Sequence, residues 1–199
     1  MGFLELPLNK LNTMETAYLI VPGLGNSGEK HWQSLWEKKF DNFYRVQQSQ
    51  WENPYCCDWI HTIEKHVEKL QDKQLFIVAH SLGCIAVAHW AQQTKLHVNG
   101  VFLVAPPDIA IIQKYDLAKG FTSVPHSKLP FESVLIASTN DSFAKIEVAQ
   151  QYASYWESTF VNVGAKGHIN AESGFGEWPQ GLAILNQFVE ANQLTLTQA

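Results

Sequence analysis

Cysteine, clustered basic residues and long apolar runs are all scarce in this 199-residue sequence. Its three cysteines, Cys56, Cys57 and Cys84, are an odd number, and two of them are adjacent. Because neither a CxxC pair nor a histidine cluster accompanies them, they predict no disulfide framework and no metal site. This cysteine usage is typical of a reducing compartment, so we expect a cytoplasmic protein.

Membrane and nucleic-acid partners are also unexpected. No apolar stretch approaches the roughly 20 residues that a membrane-spanning helix needs. The first 15 residues lack the basic start and apolar run of a signal peptide. The net charge is -5 and Lys38-Lys39 is the only basic pair, so no basic stripe is available for nucleic acid. We expect a small-molecule substrate, and the sequence identifies no protein partner.

Short apolar runs alternate with amphipathic or small-residue stretches along the whole chain, and 46% of the residues are hydrophobic, which is enough for one sizeable core. This alternation predicts a three-layer α/β fold with about six mostly parallel strands and helices on both faces. We expect one domain over residues 16–199, preceded by an N-terminal extension over residues 1–15. The predicted strands cover 17–21, 44–47, 75–79, 101–105, 134–138 and 159–163. The predicted helices cover about 30–40, 58–70, 82–93, 142–156 and 178–191.

The third apolar run leads into Ala79-His80-Ser81-Leu82-Gly83 and then into a helix. A strand that turns sharply into a helix exposes a serine at the turn, provided that the residues two before and two after it are small. The pattern therefore predicts a nucleophile elbow, with Ala79 where glycine is usual. The alternative is that Ser81 only caps the helix.

A nucleophilic serine needs a base, and the base needs an acid that orients it. In this architecture they follow in the order serine, aspartate, histidine. Asp141 follows the fifth predicted strand and His168 follows the sixth, so both fall where strand ends converge on Ser81. We therefore predict Ser81, Asp141 and His168 as the catalytic residues.

Alternatives to these residues remain open. Asp141 is also suited to capping the next helix, and Asp108 and Asp116 are rival acids. Among the other seven histidines, His80 lies within the elbow, where its ring is expected to shape the pocket. His31 opens a helical segment.

An oxyanion hole needs two backbone N–H donors. One is predicted at Leu82, directly after the nucleophile, and the other at Leu24, in the loop that follows the first strand. That glycine-rich loop lacks the GK[ST] ending of a phosphate-binding P-loop.

The sequence resembles the compact α/β hydrolases typified by the retinoblastoma-binding serine hydrolase and its bacterial relatives, over nearly the whole chain after Thr16. The resemblance implies the same three catalytic residues, a core without the first antiparallel strands or a large cap, and room for a lid only over about 108–131, hence a shallow and open site. The blocks that carry it are 21–23 with His31-Trp32, 79–83, 167–170 continuing through 173–176 to Trp178-Pro179, and 50–54 with Trp59.

Two features of the sequence depart from that family. Ser142 follows the predicted acid where proline is common, which makes Asn140 a neighbour to consider. The L-x-C-x-E motif that links the mammalian member to the retinoblastoma protein is absent, since residues 82–86 lack the glutamate. We therefore do not expect that partner.

These residues predict a serine hydrolase that cleaves an ester-like or amide-like bond of a small substrate through an acyl-enzyme, and a carboxylesterase is the reaction class expected first. Peptidase, thioesterase and lactonase activity remain open. The mechanism needs no cofactor and no metal. The alternative from another class is a protein-interaction module on a hydrolase scaffold, which exposed tryptophans among the seven would favour.

Overall fold

Six strands and six helices alternate along residues 14–196, the part of the chain that this computed structural model describes. No helix within that range combines the length and apolar character that a membrane crossing requires. The strands are β1 (Thr16–Val21), β2 (Phe43–Arg45), β3 (Gln74–His80), β4 (Gly100–Val104), β5 (Ser133–Ala137) and β6 (Thr159–Asn162). The helices are α1 (Trp32–Lys39), α2 (Cys56–Glu68), α3 (Leu82–Ala91), α4 (Ile109–Lys114), α5 (Ile146–Trp156) and α6 (Pro179–Leu196).

The strands form one sheet in the order β2-β1-β3-β4-β5-β6, and every neighbouring pair is parallel. The predicted three-layer α/β fold is therefore confirmed. The chain reverses its direction of travel across the sheet between β1 and β3, because β2 lies on one side of β1 and all later strands lie on the other. In open parallel sheets, ligands bind at such a reversal, beyond the carboxyl ends of the strands.

Both faces of the sheet are covered, which explains why its strands read as continuous apolar runs. Leu19 and Ile77 point to one face, in a core cluster that includes residues of α2, α3 and α5. Ile20 and Val78 point to the opposite face, in a second cluster with residues of α1 and α6. The alternation along each strand thus builds two cores from one sheet.

The structure differs from the predicted elements in two places that matter for the site. Helix α4 was not predicted, and it is a six-residue helix whose first turn is capped by Asp108, with the carboxylate accepting from the N–H of Ala110 at 2.9 Å. Helix α5 begins at Ile146, four residues later than predicted, because residues 140–145 form the loop that carries Asp141. Residues 1–13, most of the predicted N-terminal extension, lie outside the described residues.

Candidate active site

Ser81 lies at the junction of β3 and α3 with φ 52° and ψ −128°. Only glycine adopts this region readily, so the serine is held in a strained conformation by its surroundings. Its N–H donates to the carbonyl of Val104 on β4 at 3.0 Å. Its side chain makes no capping hydrogen bond to α3, although Ser81 occupies the N-cap position. The hydroxyl is therefore free to bond elsewhere.

Two glycines allow the chain to pass close to the elbow. A Cβ atom at Gly83 would overlap the carbonyl of Val21 and come within 2.6 Å of that of Pro22. A Cβ at Gly23 would come within 2.7 Å of the Cβ of Ser81. The loop after β1 is thus pressed against the nucleophile. Ala79, which stands where a nucleophile elbow usually has glycine, is fully buried in β3.

The structure brings together the three residues that the sequence predicts as catalytic. The Ser81 hydroxyl lies 2.9 Å from Nε2 of His168, to which it donates. On the other side of the same ring, Nδ1–H donates to the carboxylate of Asp141, with distances of 2.9 and 3.0 Å to its two oxygens. The side chains of His168 and Asp141 are only 8% and 4% exposed, so solvent competes little for these bonds.

The rival acids lie elsewhere. Asp108 caps α4, and Asp116 lies in the turn beyond it with φ 49°. The N-cap of α5 is Lys145, so Asp141 does not cap that helix. Instead, Asp141 accepts from the N–H of Phe143 at 2.8 Å, which fixes the carboxylate in its own turn.

Asn140 has a structural role that the sequence did not reveal. Its side-chain oxygen accepts from the N–H of Gly167 at 2.7 Å and from the hydroxyl of Ser138 at 2.9 Å. The Ser138 hydroxyl in turn accepts from the N–H of Lys166 at 2.8 Å. The loop that carries the acid is thereby tied to the loop that carries the base. Only the proximity of the two loops in space makes this visible.

Residues 167–173, part of a block that carries the family resemblance, fold into a tight loop around the base. The N–H of His168 donates to the Ser173 hydroxyl at 3.1 Å, and that hydroxyl donates to Asn170 at 2.8 Å. The indole N–H of Trp32 donates to the carbonyl of Ile169 at 2.8 Å. Trp32 is fully buried, and a buried indole N–H needs a hydrogen-bond acceptor. The carbonyl of Ile169 supplies that acceptor and so ties the loop to α1.

The predicted oxyanion donors lie beside the nucleophile. Leu82 is the first residue of α3, so its N–H has no acceptor within the helix. Leu24 follows Gly23 in the loop pressed against Ser81, and within residues 14–196 its N–H donates to no backbone carbonyl. Both leucines line the cavity at Ser81.

The cavity that contains Ser81 and His168 has a volume of about 300 Å³. Phe143 forms part of its wall, with its ring 4.5 Å from that of His168. Larger cavities of about 520 and 570 Å³ lie elsewhere, and neither is lined by Ser81. The apolar side chains that line the cavity at Ser81 are Leu24, Ile112, Leu117 and Phe143, together with Leu82 and Ala171.

Two further histidines, His31 and His80, line the same cavity, and both are buried. Burial lowers the pKa of His31 to about 3, with smaller contributions from the charge of Arg45 and from His168. Burial, assisted by His31 and His168, holds the pKa of His80 well below its ordinary value. Both rings are therefore neutral near pH 7. The described residues contain no group of three side chains suited to holding a metal ion.

Two relatives are similar to this chain over most of its length. A solved YdeN-like hydrolase from Pectobacterium atrosepticum is 34% identical, with a TM-score of 0.79 over 89% of this chain and 92% of that one. The hydrolase-like protein YdeN of Bacillus subtilis is 26% identical over 144 residues, which are 68% of this chain and 74% of YdeN. The solved structure of YdeN superposes with a TM-score of 0.73 at 24% identity, over 88% of this chain and 99% of YdeN.

More distant structures share the fold alone. Est1E of Butyrivibrio proteoclasticus, solved with ferulic acid bound, has a TM-score of 0.64 at 11% identity, over 98% of this chain and 94% of Est1E.

The model of the serine hydrolase family matches residues 18–187, which include all three predicted catalytic residues. The chain therefore belongs to the serine hydrolase family, and it is a hydrolase of the α/β type.

Proposed function

We propose that this hydrolase cleaves small carboxylic esters through an acyl-enzyme formed on Ser81. The observation that carries the proposal is the continuous hydrogen-bonded chain from the strained Ser81 through His168 to Asp141. A serine hydroxyl is a weak nucleophile unless an adjacent base removes its proton as it attacks. The 2.9 Å contact with Nε2 of His168 is within the range for that transfer.

In this mechanism Ser81 Oγ attacks the ester carbonyl and its proton passes to Nε2 of His168. The carbonyl oxygen becomes an oxyanion, which the N–H groups of Leu24 and Leu82 stabilise. Collapse of this intermediate breaks the carbon–oxygen bond, and His168 gives its proton to the departing alcohol. A water then attacks the acyl-enzyme while His168 acts as base again, and the carboxylic acid leaves. Asp141 fixes the tautomer of His168 and stabilises its charged form.

The cavity supports a short acyl group. Its volume of about 300 Å³ is at the lower end of the roughly 300–1,000 Å³ that small-molecule pockets have. Apolar side chains from the segment predicted as the only room for a lid, Ile112 and Leu117, line it. A short acyl group fits within this space, whereas a long lipid chain would extend beyond it.

The alternative, an interaction module on a hydrolase scaffold, receives no support from the tryptophans. Six of the seven are buried and Trp51 is half-buried, and all seven lie within the described residues. Their burial assigns them to the core instead of to an exposed binding surface.

The test is labelling with a fluorescent fluorophosphonate, together with hydrolysis of p-nitrophenyl esters from acetate to palmitate. We expect the wild type to label and to prefer short chains, and Ser81→Ala to lose turnover by about 10⁴ to 10⁶-fold. His168→Ala should also fail to label. Ser154→Ala, on an exposed position of α5, is the matched control and should behave as wild type. Equal turnover in wild type and Ser81→Ala would overturn the proposal.

A further inference from the structure

Three histidine rings are neighbours at the cavity that contains Ser81. The centroids of His31 and His80 are 4.7 Å apart, and those of His80 and His168 are 4.9 Å apart. His31 and His80 are each only 5% exposed. The proposed mechanism uses His168 alone, so the two buried rings need an explanation of their own.

One hydrogen bond of the His80 ring defines its tautomer. Nε2 of His80 lies 3.0 Å from the carbonyl oxygen of His168. A carbonyl oxygen only accepts, so Nε2 carries the proton and donates it. The bond is buried, where it is stronger than in water and where an unpaired carbonyl would cost about 1–3 kcal/mol.

This bond connects two parts of the site that are 88 positions apart in the sequence. His80 is the last residue of β3 and immediately precedes Ser81. Its acceptor is the backbone of the base itself. The bond therefore joins the strand that presents the nucleophile to the loop that presents the base, independently of the bond between Ser81 and His168.

We propose that His80 is a positioning residue, which holds the His168 backbone through its carbonyl so that Nε2 of His168 stays within reach of Ser81. The proposal rests on the proposed function, because it concerns the geometry of that same catalytic group. Pre-organisation of this kind matters because a displacement of about 1 Å can lower the rate by about 10²-fold.

The neutral state of His80 fits this role. A positively charged donor 4.9 Å from His168 would oppose the positive charge that the base acquires when it takes the serine proton. An aliphatic side chain would leave the carbonyl of His168 unpaired. The His31 ring packs against His80 at an interplanar angle of 62°.

The test compares His80→Gln with His80→Met. The glutamine amide nitrogen reaches about as far from the backbone as Nε2 of histidine, so it retains the donor, whereas methionine retains bulk without a donor. For a short p-nitrophenyl ester, we expect His80→Met to lower kcat by about 10 to 100-fold with KM within twofold. We expect His80→Gln to recover most of that loss.

A second readout does not depend on turnover. The Nδ1–H proton shared by His168 and Asp141 should give a low-field proton NMR resonance. We expect this resonance to exchange faster with water in His80→Met than in wild type and to be retained in His80→Gln. His80→Asn, whose shorter amide falls short of the carbonyl, should resemble methionine and replaces it if the methionine variant does not fold.

The control for lost stability is Val67→Ala, a core substitution in α2, which should lower Tm without changing kcat. Turnover of His80→Met and His80→Asn within twofold of wild type would overturn the inference. Equal impairment of folded glutamine and methionine variants would also overturn it, because packing and not the donor would then be responsible. If wild type and Ser81→Ala turn over equally, the proposed function fails, and the resonance still decides whether His80 positions the base.

Discussion

Acid should destabilise this protein through His31, and a comparison of wild type with His31→Asn separates this contribution from that of other groups. The folded pKa of His31 is about 3, against an ordinary value of 6.5. Below pH 6.5 the unfolded chain therefore takes up a proton on His31 that the folded protein does not. The stability that this histidine contributes is present above pH 6.5 and is lost as pH falls towards 3.

The loss amounts to about 1.4 kcal/mol for each pH unit below 6.5, and so to about 2 kcal/mol at pH 5. The assay is urea unfolding at pH 7.5 and pH 5.0, performed on wild type and on His31→Asn. Asparagine is a good N-cap residue, so it can replace the bond in which Nδ1 of His31 accepts from the N–H of Gln33 at 3.2 Å.

We expect the wild type to lose about 2 kcal/mol more than His31→Asn between the two pH values. The carboxylates titrate in both proteins, so their contribution cancels in the difference. If both proteins lose the same stability, the conclusion that His31 is buried in its neutral form is wrong. In an NMR titration, the ring of His31 should show no protonation step between pH 8 and pH 4.

Three further predictions concern the site and its surroundings. Asp141→Asn should lower kcat by about 10⁴-fold in ester hydrolysis, because the wrong tautomer of His168 is then favoured; a loss below tenfold would contradict the assigned acid. Gly83→Ala should lower the free energy of unfolding by about 3 kcal/mol, since the added methyl group would collide with the Pro22 carbonyl. An unchanged Tm in thermal denaturation would contradict this close approach. Cys57, the exposed cysteine, should be the single thiol that reacts with a thiol reagent in the native protein, and all three should react in urea; three native thiols would contradict the burial of the others.

The number of strands and their parallel pairing could be predicted from sequence, because a parallel sheet covered on both faces needs apolar runs of strand length, separated by helices. The order of the strands within the sheet was not predicted. The proximity of Ser81, Asp141 and His168 could be predicted because each follows the end of a strand, and these ends converge on one edge of the sheet. Both predictions depend only on local sequence, namely on apolar runs and on the residues that directly follow them.

Helix α4 escaped prediction because six residues give too short a window for helical periodicity. The start of α5 was misplaced because nothing local distinguishes the loop of Asp141 from a first helical turn. The bonds of Asn140 to Gly167 and of His80 to His168 join residues 27 and 88 positions apart, so only the folded arrangement reveals them.

The strained backbone of Ser81 also has a consequence for folding. The elbow depends on Gly23 after β1, on β3 itself and on Val104 of β4, so three distant stretches must assemble before the serine is held in place. A conformation that costs about 1–3 kcal/mol does not persist in a partly folded chain. Parallel sheets form slowly because their contacts are distant in sequence. Reaction with a fluorophosphonate during refolding should therefore lag behind the recovery of the helical circular-dichroism signal. The reactivity of Ser81 would then report when the last step of assembly is complete.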